Sequence, residues 1–255
     1  MSPSSKRHKS SACEMPIAEI LLESSNFAFD FFIEQFVKKW QIRISPCREE
    51  DRLGLIVDGR VIGCALVPTP LSDGSMTQEA KDNVLWPEAE SCVMKHKARL
   101  QVAITREGEP VAAHVAFTKV LYNLLRDKSA LGIYLRPGLF EPEYYIKCAE
   151  SLTLRKLPTE LWVHINQIGF EQDSGYSFFT TGMNKFGKNE FEIVDTKTNF
   201  IDAYYSLKEL VKHTIENDVS YRDGDAVSAE GMDGKARASV SKGIRVKGTT
   251  VKISL

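Results

Sequence analysis

Apolar residues recur along this chain in two alternating rhythms, and the change of rhythm marks its elements. Over 27–40, Phe29, Phe32, Ile33, Phe36, Val37 and Trp40 fall at three- and four-residue steps, the stripe of an amphipathic helix. Two strands are predicted at 53–57 and 61–67, flanking Asp58-Gly59, the dipeptide that suits both central positions of a two-residue hairpin. Polar residues from Ser72 to Asn83 read as a loop entering a helix, with Asp73 and Gly74 as turn residues. Pro87 fits the first turn of a helix running through Cys92 towards His96.

Leu100, Val102 and Ile104 then alternate as in a half-buried strand, a strong helix spans 111–126, and 132–136 is a short strand. This region is expected to form a βαβ-like unit. A helix over 143–152 precedes strands at 161–168 and 176–181, joined at Asp173-Ser174-Gly175. The sheet continues over 191–194, a helix covers 199–217, and 236–255 suits a closing hairpin. Helices and hairpins interleave without a strict βα repeat, so the expected class is α+β, a largely antiparallel sheet flanked by helices. Residues 16–255 are read as a single domain behind a polar, disordered tail over 1–15.

Charge and cysteine usage narrow the partners. Lys and Arg total 33 against 34 Asp and Glu, so no global field recruits nucleic acid or a membrane surface directly. No apolar run approaches the length of a membrane span, and no secretory signal follows the basic head, which implies a cytoplasmic address. The five cysteines lie far apart without zinc spacing and read as reduced thiols.

Candidate chemistry is sparse. Cys92 and His96 share a helix face but lack two further ligands, so the expectation is no metal and no cofactor. His114, His164 and His213 lie on unrelated elements, and no local signature marks a catalytic nucleophile. Gly182 and Gly187 with Lys188 mimic a phosphate loop, yet they run into a strand rather than a helix, so positive φ explains the glycines better. Glu190 and Glu192 share one strand face; a solvated edge is favoured over an acid/base pair.

Acidic residues do cluster. Asp218, Asp223, Asp225, Glu230 and Asp233 face only Arg222 within 217–234, and Asp73, Glu79, Asp82, Glu88 and Glu90 face only Lys81 within 73–90. Each reads as a solvated loop or as a docking surface for a basic partner. If the first loop is solvated, charge reversal at Asp223, Asp225 and Asp233 leaves folding little affected.

Several landmarks together resemble a known bacterial family. They are Val57-Asp58-Gly59, Pro68-Thr69-Pro70-Leu71, Trp86-Pro87-Glu88-Ala89, His96-Lys97-Ala98, Leu161-Trp162-Val163 and the 182–192 segment. The chain is similar over most of its length to the family called domain of unknown function 4261. Arg99 stands where that family leads one to expect a second histidine, which argues against a two-histidine site there. The resemblance implies an α+β fold related to the suppressor-of-fused group. It also implies kinship with immunity proteins encoded beside type VI secretion toxins. The expected partner is then a cognate effector toxin, a nuclease, bound through the acidic surface. The protein would be no enzyme, and a homo-oligomer is left open. The alternative is a cytoplasmic enzyme whose site assembles only in the fold.

Overall fold

In the computed structural model the described residues are 16–83, 86–105, 108–169, 175–227 and 236–255. The chain begins there with β1 (Ile17–Leu22), α1 (Phe29–Trp40), β2 (Ser45–Arg48), β3 (Arg52–Val57) and β4 (Arg60–Val67). Next come α2 (Gly74–Lys81), α3 (Ala89–Lys95), β5 (Ala98–Ile104), α4 (Pro110–Leu124), β6 (Ala130–Tyr134), β7 (Leu139–Phe140) and α5 (Pro142–Ala149). The last part holds β8 (His164–Ile168), β9 (Tyr176–Thr181), β10 (Glu190–Thr196), α6 (Phe200–Glu216), β11 (Ala238–Lys242) and β12 (Thr249–Ile253). The class is α+β, with one seven-stranded and one five-stranded sheet.

The seven-stranded sheet has the order β2-β3-β4-β5-β1-β6-β7, and every neighbouring pair in it is antiparallel. Asp58 and Gly59 take φ of 49° and 77°, the two positive values that a tight hairpin between twisted strands requires. β5 and β6 run parallel to each other, but β1 is inserted between them and antiparallel to both. The expected βαβ unit is therefore split by a strand that the sequence pattern does not announce. β1 is buried on both faces except at Ile17, so it lacks the alternation of a half-exposed strand.

One face of this sheet carries the main core. Ala18, Ile20 and Leu22 of β1, Leu100 and Val102 of β5, and Leu53 and Leu55 of β3 join the fully buried Phe29, Phe32 and Phe36 of α1. Each such aromatic contributes about 1.5–3 kcal/mol when buried. The opposite face is treated unevenly. Over β1, β6 and β7 lie Met76, Ala80, Trp86, Ala89 and Val93 from the α2–α3 region, packed on Leu21, Tyr134 and Leu139. Over β3 and β4, Ile56 and Val61 stand 49% and 51% exposed.

The second sheet has the order β11-β12-β10-β9-β8. β11 and β12 form the expected closing hairpin, but β12 also pairs in parallel with β10, so the antiparallel pattern has one exception. The expected strand from Leu161 starts instead at His164. Thr159–Leu161 is a short 3-10 turn, and Trp162 is buried against α4, its indole N–H donating to the Thr118 hydroxyl at 2.9 Å. Trp162 and Phe186 also flank His114 of α4, with ring centres 5.6 and 4.6 Å away. The main core thus runs without a break from the first sheet through α4 to the second.

Candidate functional site

Three of the five acidic candidates can be placed: Asp218, Asp223 and Asp225 are exposed, whereas Glu230 and Asp233 lie outside the described residues. The segment does not float free of the fold. It runs along the outer edge of β11, where Gly224 N donates to Ala238 O, Ala238 N to Asp225 O, and Val227 N to Ala236 O, at 2.8–2.9 Å. Two of the carboxylates take part. Asp223 accepts the Val240 N–H at 2.9 Å, and Asp225 accepts the Arg222 N–H at 2.7 Å. Asp218 pairs with Lys188 at 2.6 Å, and that ammonium holds its carboxyl below the usual range. Asp223 and Asp225 are thus solvated yet anchored, on a segment that covers the open edge of β11.

The second acidic segment separates into two roles. Asp73 caps α2 by accepting the Ser75 and Met76 N–H groups and faces Arg136 at 3.6 Å. Glu79 accepts the Gly138 N–H at 3.0 Å, while Asp82, Glu88 and Glu90 remain exposed. Burial pushes the Glu79 carboxyl up, the Gly138 and Tyr134 donors pull it down, and burial wins.

The 182–192 segment overturns the expected solvated edge. Glu190 is buried, and its carboxylate accepts N–H groups from Gly182, Met183 and Asn184 together with the Thr180 hydroxyl, at 2.7–3.3 Å. Consecutive N–H groups of this kind form an anion-binding concavity, and here the protein's own glutamate fills it. Gly182, at φ 123°, is needed on two counts, because a Cβ there would lie 2.6 Å from Trp162 O. Glu192 is fully buried and repeats the device with Ile244, Arg245 and Val246 N–H and the Thr250 hydroxyl. Burial alone would raise its carboxyl; the N–H donors and Thr250 outweigh it and hold it below the ordinary carboxylate range. Both glutamates are structural anchors with their lone pairs engaged, not an acid/base pair facing a substrate.

Cys92 and His96 also resolve. The His96 ring is buried, its Nε2 accepts the Leu71 N–H at 2.8 Å, and its Nδ1 bonds Val93 O. With Leu71 N–H donating to Nε2 and Nδ1 bonded to Val93 O, this histidine clamps the Leu71 loop onto α3 rather than offering a ligand with Cys92. Burial pushes the Cys92 thiol up, and those of Cys64 and Cys148 to about 12 and about 11, away from the reactive thiolate. Among the described residues no three His, Cys, Asp or Glu groups are placed to hold a metal.

Sequence reasoning missed one cluster. Glu19 of β1, 1% exposed, faces Arg99 at 3.3 Å and Arg136 at 3.8 Å and accepts from Gln101 at 2.9 Å. Arg99 in turn donates to Thr69 O and Pro70 O. The expected-histidine position is thus an arginine that ties the 69–70 carbonyls to a buried carboxylate. No local signal could have found it, since Glu19 and Gln101 meet only through sheet pairing.

The family described as domain of unknown function 4261 matches residues 179–254, which supports the resemblance over the second sheet from β9 onward. The upstream landmarks, including Trp86-Pro87-Glu88-Ala89, fall outside that match. No curated protein and no solved structure matched the chain. No helix among the described residues is long and apolar enough to cross a membrane.

Proposed function

We propose that this protein is a binding module that neutralises a co-encoded cytoplasmic toxin, a nuclease, by direct contact. The reading extends the family resemblance to immunity proteins of type VI secretion, and among these to TsiT, the proposed antidote of a nuclease effector. The observation that carries it is the set of exposed carboxylates Asp223 and Asp225, on a segment fixed along β11 by backbone hydrogen bonds and by Asp223 itself, together with exposed Asp218 held by Lys188. A nuclease groove must attract phosphate and is positively charged. A preorganised row of carboxylates can cover such a groove with little ordering cost and needs no chemistry of its own. Asp82, Glu88 and Glu90 offer a second acidic surface.

The test is co-expression with the neighbouring toxin, followed by pull-down and a growth assay. Because Asp223 and Asp225 accept backbone N–H groups, the informative variant is Asp218→Asn with Asp223→Asn and Asp225→Asn, which keeps the acceptors and removes the charge. Slower association with weaker salt dependence is expected. No complex and no protection with the unaltered protein would sink the antidote reading. Unchanged binding by the triple variant would sink only the acidic surface.

A further inference from the structure

Positive charge gathers on a pair of aromatic rings where α1 meets α4. Trp40, the last residue of α1, meets Tyr122 of α4 edge to face, with ring centres 5.3 Å apart. The Lys39 ammonium lies 5.7 Å from the Trp40 centre and 5.2 Å from the Tyr122 centre. Lys119 stands 5.6 Å from the Trp40 centre, and the Arg126 guanidinium 5.7 Å from that of Tyr122. The helix dipole favours Lys39, in the last turn of α1. It does not account for Lys119 and Arg126, because the last turn of α4 holds no cation.

None of these cations pairs with a carboxylate among the described residues. Glu150 reaches the cluster but spends its carboxylate on the Tyr122 hydroxyl, at 3.2 Å. Arg126 donates to that same hydroxyl oxygen, also at 3.2 Å. The ring faces attract the cations and offset part of their mutual repulsion, yet they leave the net charge in place. One neutral donor is also unused. The Trp40 indole N–H is shielded from solvent and makes no hydrogen bond, a costly state that calls for an acceptor. All four groups are suited by the same thing, an anion with several acceptor oxygens.

We infer that this cluster binds the dianionic phosphate of a small phosphomonoester, with Lys39, Lys119 and Arg126 as its cations and the Trp40 indole N–H as a neutral donor. A carboxylate brings one charge and two oxygens, which a single arginine fork satisfies. A phosphomonoester brings nearly two charges and three acceptor oxygens, which suits three cations and an indole. Lysine ammonium groups are compact and ride on flexible stems, so Lys39 and Lys119 can move from the ring faces to the ligand. The Trp40 N–H, shielded in the free protein, then reports that movement. The site does not depend on the antidote reading.

The probe is phenyl phosphate, added to the full chain at constant ionic strength and followed through the indole N–H signals in proton–nitrogen correlation spectra. Trp40→Phe identifies the signal of Trp40. That signal should shift and saturate, half-complete at about 1 mM, while those of Trp86 and Trp162 stay in place. Affinity should rise from about pH 5 to about pH 7, because the second phosphate proton leaves near pH 6. Lys39→Met with Lys119→Met should weaken binding at least about tenfold while the stems still cover the rings. Arg126→Gln, at an exposed position, should weaken it independently, whereas Lys247→Met, at an exposed lysine of the β11–β12 connection, should not. No movement of the Trp40 signal up to about 20 mM overturns the proposal. Unchanged affinity in the double lysine variant and in Arg126→Gln overturns it too, by marking an adventitious ion only. So does binding of a short DNA duplex without any response to the monoester, the behaviour of a general polyanion surface.

Discussion

The two halves of one sheet face handle glycine in opposite ways. On the covered half, Gly132 of β6 lies under the indole of Trp86, and a Cβ there would sit 2.7 Å from a ring carbon. On the bare half no described residue lies within 4 Å of a Cβ built on Gly63 of β4, and its neighbours Ile56 and Val61 are about half exposed. The covered glycine is a seat filled from within, and the bare one is the same kind of seat left open. The difference teaches that an absent side chain has meaning only together with what lies above it.

Truncating the filler is the hardest blow to this contrast. Trp86→Ala should cost about 3–5 kcal/mol of stability, whereas Ile56→Ala and Val61→Ala should stay within about 0.5 kcal/mol, read from urea midpoints at unchanged slope. Equal costs on the two halves would break the comparison. Filling the seats should separate them next. Gly132→Val forces a clash with Trp86 and should destabilise by about 1–3 kcal/mol. Gly63→Val should gain up to about 1 kcal/mol, because glycine in an unstrained strand position only adds freedom to the unfolded chain.

Much of the fold was legible locally, and its meaning was not. The Asp58-Gly59 hairpin, the α1 stripe and the long helices α4 and α6 follow from patterns contained within a few turns of chain. Sheet order does not, because Ile17 pairs with Ala103 and Glu19 with Tyr134, partners that only the folded chain brings together. Glu190 and Glu192 read as a solvated edge because alternating carboxylates usually are one. The N–H groups that bury Glu192 arrive from residues 244–246. The acidic segment was legible as composition, but its attachment to β11 was not, since hydrogen bonds between backbone groups leave no mark on side-chain identity. The Glu19–Arg99 pair was not legible either, because it forms only once β1 lies beside β5.

The smallest expected effect is a titration confined to the covered half. Burial raises the Glu79 carboxyl above its ordinary value of 4.5, so the folded state holds that proton more tightly than the unfolded chain. The resulting stabilisation is complete below pH 4.5 and is lost as pH rises through the folded pKa. Glu79→Gln should remove that part of the slope as pH rises above 4.5. A slope identical to that of the unaltered protein would show that the α2–α3 layer has no titrating anchor there.

The chain also carries its own set of optical reporters. Its three tryptophans occupy separate surroundings: Trp86 on the outer layer, Trp162 in the continuous core, and Trp40 beside the ammonium groups of Lys39 and Lys119. Indole emission responds to nearby water and charge, so phenylalanine substitutions made two at a time would leave a single lamp in each place. Peeling of the outer layer would then change the colour of one lamp while the core lamp stayed as it was.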